Sequence, residues 1–245
     1  MNDKTIKDIL LPIKKQIDIF AEAEKDIKNI LKLEEKNKIC DIRVTVFSKI
    51  KIVYINLYVI FFCIKQSEDS SNPFWSYENQ YFDNMNPKGL LNDVDMFLKI
   101  SFTLSVFSCI EQFVTELYKY HKKEDKLPVT EKRITEKLKQ LTQHFDIKEN
   151  SLKNYESFEA FRKVRNALHT NFISDEDFNY ESNEIKIKFR KGQFIKYLTK
   201  ETLLHLQQEN IDFLKDIIER FGDFDKYIEE PAYQAIKKLN LINNI

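Results

Sequence analysis

Arg162, Arg165, Asn166 and His169 fall close together in the run Phe-Glu-Ala-Phe-Arg-Lys-Val-Arg-Asn-Ala-Leu-His-Thr-Asn-Phe, residues 158–172. The run contains no Gly or Pro and reads as helix. At about 100° per residue the four polar side chains share an arc of roughly 100°. Phe161, Val164, Leu168 and Phe172 lie on the neighbouring arc and are expected to be the buried stripe. Two guanidiniums, an amide and an imidazole on one edge of an anchored helix can bind a phosphate and move a proton near neutral pH. Nothing else in the chain points as directly to chemistry. Glu111 bears on it from a distance, in the middle of an apolar stripe of another helix. A buried carboxylate needs a partner, and Arg162 or Arg165 is the candidate; a half-exposed Glu111 is the alternative. An Arg paired in this way is held in place, and the other is left free for substrate.

The Arg-Asn-Ala-Leu-His run also resembles the signature of HEPN domains, helical proteins in which an Arg and a His a few residues apart close a late helix. The Asn directly after the Arg is typical of that motif. A short β-hairpin and a further helix often follow an Arg-Asn-x-x-His-x-Asn pattern in that family, and residues 165–171 carry it. The resemblance covers roughly residues 90–225. Arg162 fits the family spacing to His169, whereas Arg165 stands one residue short of it, so which Arg takes the family position stays open. Active members of the family are metal-independent endoribonucleases. The resemblance therefore implies His169 in proton transfer, Arg162 or Arg165 on the scissile phosphate, and Asn166 positioning its neighbour or the ribose. It further implies a homodimer whose motif helices share one cleft, a toxin or antiviral defence role, and a possible antitoxin or defence-system partner protein. Adenylylated toxins of the family carry a Tyr where Asn171 stands here, which argues against that regulatory type. A different class of function also fits, a catalytically inactive helical interaction or scaffold subunit of such a system. The third and weakest reading is a peripheral membrane protein using residues 50–64.

The elements that must position these residues follow from composition and periodicity. Hydrophobic residues make up 42% of the 245 and charged ones 32%, enough for a sizeable core and unlike a disordered chain. The 39 basic and 39 acidic residues cancel, so any contact with RNA must be local. Cys40, Cys63 and Cys109 each sit in an apolar run and are expected to be reduced core thiols of a cytoplasmic protein. The four histidines lack ligand spacing, so neither a metal nor another cofactor is expected. His121, His144 and His205 read as ordinary surface histidines, the first two at helix ends. The first residues mix acids and bases with no apolar h-region, and no signal peptide is expected.

The fold class predicted is all-α: a HEPN-like helical bundle with long N-terminal helices and one small β-hairpin near 180–197. Residues 1–72 read as an N-terminal helical extension packed on a HEPN-like domain at 73–245. An amphipathic helix spans 4–37, bent or broken near Pro12. Residues 39–66 follow, with no charge between Ile52 and Ile64. That run is shorter than a span of about 20 residues and reads as a buried core helix without membrane contact; a strand pair is the alternative its β-branched residues keep open. Residues 67–88 read as a loop with Phe74, Trp75, Tyr77, Tyr81 and Phe82, rings that pin it to the core, with stacking on bases the alternative. The run 89–121 is apolar nearly all round and belongs at the centre of the bundle. After a charged loop at 122–127, Thr130 can cap a short helix to about Phe145. Ile185, Ile187 and Phe189 then alternate with Lys186, Lys188 and Arg190, and Gly192 turns the chain toward Phe194. With Lys191, these basic residues are candidate RNA-phosphate contacts; a solvated strand face is the plain alternative. Amphipathic helices at 200–221 and 232–242 complete the chain.

Overall fold

The computed structural model describes residues 3–67, 87–125, 133–170, 172–182, 185–196 and 198–238. The aromatic loop and the Thr130 cap lie outside the described residues, as do residues 126 and 127 of the charged loop, whose residues 122–125 are instead the last turn of a helix. The architecture is the one expected, helices throughout with one small antiparallel hairpin. Helix α1 (Asp3–Ile30), α2 (Glu35–Ile39), α3 (Ile42–Ser67), α4 (Pro87–Asp125) and α5 (Ile134–His144) come first. After a 3-10 turn at Glu149–Ser151 come α6 (Tyr155–Ala167), a second 3-10 turn (Leu168–Thr170), β1 (Phe178–Glu181) and β2 (Lys186–Phe189). Helices α7 (Lys200–Phe221) and α8 (Pro231–Lys238) close the described chain.

Helix α1 runs unbroken through Pro12, because tertiary packing of Leu10, Ile13, Phe20, Ala23 and Ile27 outweighs one missing backbone donor. It ends instead before Leu31, and residues 35–39 form a separate short helix. Helices α1, α3, α4, α6 and α7 share one core, which includes Phe20, Phe47, Phe107, Phe158 and Phe213. Phe158 stacks on Phe213 at 4.5 Å between ring centres. A second, smaller core lies between α6, α7 and the hairpin and contains Ala160, Val164, Ile187, Phe189 and Leu206.

The uncharged run of α3 departs from the expected fully buried helix. Tyr54, Leu57 and Phe61 are buried, while Ile52, Ile55, Val59, Ile60 and Phe62 are exposed on the far face. The run is apolar on both faces but has α1 and α4 to pack against on one face only. Helices α3 and α4 are, by length and composition, apolar enough to cross a membrane. Cys63 is exposed, contrary to its reading as a core thiol, and Cys40 and Cys109 are half-buried; burial pushes the Cys109 thiol up. His121 is likewise not a surface residue. Helix α4 continues past it to Asp125, and its buried Nε2 lies 2.7 Å from the Phe221 carbonyl.

Glu24 joins α1 to α3, accepting from Lys28 at 2.6 Å and from Lys51 at 2.6 Å. Burial works against its charge, but those donors and Ser48 outweigh it and hold the carboxyl below its ordinary 4.5. A lowered folded value contributes stability above the unfolded value, lost as pH falls through the folded one. Acid titration of wild type by circular dichroism should therefore show destabilisation beginning below about pH 4.5. A Glu24→Gln variant should lose less over that window; identical acid limbs for the two would refute the linkage.

Candidate functional site

Helix α6 begins at Asn154, which takes the left-handed conformation (φ 54°) and donates through Nδ2 to the Glu209 carbonyl at 3.1 Å. Phe158, Ala160, Phe161, Val164 and Ala167 form its buried face. The α-helix stops at Ala167, earlier than its apolar pattern suggests. Thr170 donates to the Ala167 carbonyl at 3.0 Å and reaches the Ile173 carbonyl at 2.6 Å, the kind of local side-chain bond that competes with helix. Phe172 then takes φ 64°, a rare conformation for a bulky residue that costs on the order of 1–3 kcal/mol. Its N–H closes on the Ala167 carbonyl at 2.7 Å. Phe172 therefore leaves the helix instead of extending its stripe, and Leu168 is only half-buried.

His169 sits within the tight Leu168–Thr170 turn, so the α-helical phase does not carry through to it. The placement of its side chain lies outside what the structure describes. Arg162, Arg165 and Asn166 line one cleft of about 410 Å³, together with Phe107 and Glu111 of α4, Arg133, Ile134 and Thr135 at the start of α5, and Asp175. Three guanidiniums thus face two carboxylates across this cleft.

The two motif arginines are held differently. Arg162 grips Glu159 with a fork, Nε to Oε1 at 3.0 Å and Nη2 to Oε2 at 2.7 Å. Burial opposes its charge, yet the Glu159 hydrogen bonds and the nearby carboxylates outweigh that and push its pKa further up. It is therefore not a free arginine, although the fork leaves Nη1 unused. Arg165 is the one near Glu111, with Nη2 3.8 Å from Oε2, a long ion pair rather than a hydrogen bond. Its Nη1 donates to Asn166 Oδ1 at 3.2 Å, and its guanidinium lies 5.1 Å from the centre of the Phe107 ring. Glu111 is half-exposed as well as paired, so both readings of it hold in part. Arg165 is the motif arginine whose donors are most readily offered to an anion.

Phe178 packs against Phe189 across the hairpin, their ring centres 5.5 Å apart. The chain turns at Ser182–Ile185, where the Ser182 N–H donates to the Ile185 carbonyl at 2.9 Å. The run expected to open the hairpin is thus its second strand. Gly192, with φ 73°, makes a second turn that brings Lys196 back beside Lys188. Among the four candidate RNA contacts, Lys186 pairs with Glu181, Arg190 donates to the Phe189 carbonyl at 2.9 Å, Lys188 is half-buried and Lys191 is exposed. They lie on the hairpin and do not line the cleft.

Sequence reasoning missed Arg133, Asp175 and Glu159. Glu159 stands three residues before Arg162, the helical spacing for an ion pair, and was in principle legible. Arg133 and Asp175 reach the cleft through the packing of α5 and the loop after α6, for which the sequence carries no signal. The buried Lys163 pairs with Glu176 and lies 4.8 Å from the centre of the Phe178 ring, which fixes the acidic segment beside the cleft. Among the described residues no group of His, Cys, Asp and Glu could hold a metal ion. Comparison of the chain with family models, with curated proteins and with solved structures found no match.

Proposed function

We propose that this protein is a metal-independent endoribonuclease of the HEPN type, acting as a toxin or antiviral defence effector in the cytoplasm. The observation that carries the reading is the cleft where Arg133, Arg162, Arg165 and Asn166 meet, at the end of a helix that runs directly into His169. A ribose 2′-hydroxyl attacks the adjacent phosphorus, forming the O2′–P bond as the P–O5′ bond breaks. The 2′-oxygen loses a proton and the leaving 5′-oxygen gains one; His169 makes one of these transfers and water makes the other. Arg165 stabilises the charge that develops on the phosphorane oxygens, and Arg162, anchored by Glu159, sets the other side of the phosphate. Asn166 orients Arg165 through its side-chain oxygen. Lys186, Lys188, Arg190 and Lys191 hold flanking phosphates.

Because the nucleophile belongs to the substrate, RNA cleavage by the purified protein should survive EDTA. Products should end in 2′,3′-cyclic phosphate and 5′-hydroxyl, and a 2′-deoxyribose at the cut site should block the reaction. A clean preparation that leaves a range of RNAs intact would overturn the assignment in favour of a helical interaction or scaffold subunit. The proposal includes a homodimer in which two copies of the motif helix share one cleft, as an isologous interface would arrange them. Light scattering that finds only a 29.4 kDa species at micromolar concentration would remove that part.

A further inference from the structure

We infer that the outward face of the small sheet is a platform for single-stranded nucleic acid, with Phe194 as the side chain on which a base stacks. The inference deepens the ribonuclease reading and rests on it for the identity of the polyanion. Along β2 and the strand that returns from Gly192, Ile187, Phe189 and Ile195 are buried. By the two-residue alternation of strands, Lys186 and Lys188 share the opposite face, as do Phe194 and Lys196. Phe194 is 66% exposed. It is not a loose loop tip, because its strand is held on both sides. Ile173 and Phe194 form an antiparallel bridge, the Ile195 N–H donates to the Phe172 carbonyl at 2.9 Å, and the Ser174 N–H donates to the Gln193 carbonyl at 3.0 Å. A fixed, solvent-facing aromatic ring leaves apolar area in water that a base would cover.

The charges on the face point the same way. Lys188 and Lys196 are directly opposed, each backbone N–H donating to the other's carbonyl at 3.3 and 3.0 Å. Directly opposed like charges destabilise a sheet, and among the described residues no carboxylate forms an ion pair with either lysine. An anion bridging them would relieve that repulsion. Three acids of the described chain nearby are engaged elsewhere: Glu181 with Lys186, Glu176 with Lys163, and Asp177, whose Oδ1 accepts from the Lys191 N–H at 2.8 Å. An exposed ring among unneutralised cations is how proteins hold single strands with little sequence preference. The platform also adjoins the cleft. Ile173, the partner of Phe194, stands two residues before Asp175, which lines the cleft.

The test uses a fluorescently labelled single-stranded DNA of about twelve nucleotides, which offers bases and phosphates but no 2′-hydroxyl, so binding is read apart from cleavage. Anisotropy should show wild-type binding. Phe194→Ala should weaken it by about 5- to 150-fold, with unchanged helical circular dichroism, while Phe194→Tyr should retain it. Replacing Lys188 and Lys196 by Gln should reduce the salt slope of log K by about 0.7 per lysine. Equal affinity of wild type and Phe194→Ala overturns the inference. So does absence of oligonucleotide binding, or Phe194-dependent binding to phosphatidylserine vesicles in its place. None of these outcomes decides the ribonuclease reading, which is judged separately by RNA cleavage in EDTA.

Discussion

A His169→Ala variant is expected to cut RNA about 10²- to 10⁴-fold more slowly than wild type, the usual contribution of a positioned acid or base. The chemistry requires a group that can both give and accept a proton near neutral pH, and imidazole is the side chain whose unperturbed pKa allows it. The arginines that line the cleft can hold a phosphate but cannot serve as bases while charged. Loss of His169 should lower kcat and leave KM little changed, because the proposed mechanism assigns phosphate binding to the arginines of the cleft. Arg165→Ala should impair both, since a guanidinium that contacts a phosphate also stabilises the transition state. In cells, expression of wild type should be toxic and expression of His169→Ala should not. Equal cleavage by wild type and His169→Ala would end the nuclease assignment, because the proposed mechanism gives the proton transfer to His169.

The second large effect concerns stability. Asp41 and Arg43 are fully buried and joined by a fork, Nε to Oδ1 at 2.8 Å and Nη2 to Oδ2 at 2.7 Å. Arg43 also donates to the Asp223 and Lys226 carbonyls at 2.7 and 2.6 Å, and Asp41 Oδ2 accepts from the Ile228 N–H at 3.0 Å. The pair therefore ties the start of α3 to the chain after α7, about 180 positions away in sequence. Arg43→Met takes the guanidinium away from a fully buried carboxylate and from the Asp223 and Lys226 carbonyls, and should cost about 3–5 kcal/mol. Urea unfolding should show the midpoint fall with little change in slope. A double Asp41→Leu, Arg43→Met variant should recover only part of the loss, because the Ile228 N–H is then left unsatisfied. A single-variant cost below about 1 kcal/mol would mean that water reaches the pair and that it behaves like a surface bridge.

Residues that act locally were legible in the sequence. Helices declared themselves by periodicity, since a helix must bury one stripe whatever it packs against, and β2 did so by alternation. Arg162, Arg165 and Asn166 could be assigned to one edge because helical spacing alone puts them there. The end of α6 was not legible, because Thr170 and Phe172 stop the helix through bonds and a backbone conformation that the apolar pattern does not report. Nor was the exposed face of α3: a run with apolar residues on both sides names no partner, and only the packing of α1 and α4 decides which side is covered. Arg133 and Asp175 joined the cleft, Lys196 came to oppose Lys188, and Asp41 and Arg43 closed on the distant chain after α7 for one shared reason. Each contact is made between segments whose approach depends on how whole elements pack, and no local pattern of residue types encodes that distance. From the residues alone the all-α class could be read, and with it the sharing of one helix edge by Arg162, Arg165 and Asn166. Tertiary structure alone decided which arginine is firmly held by a carboxylate, which is left loosely paired, and which further charges share the cleft.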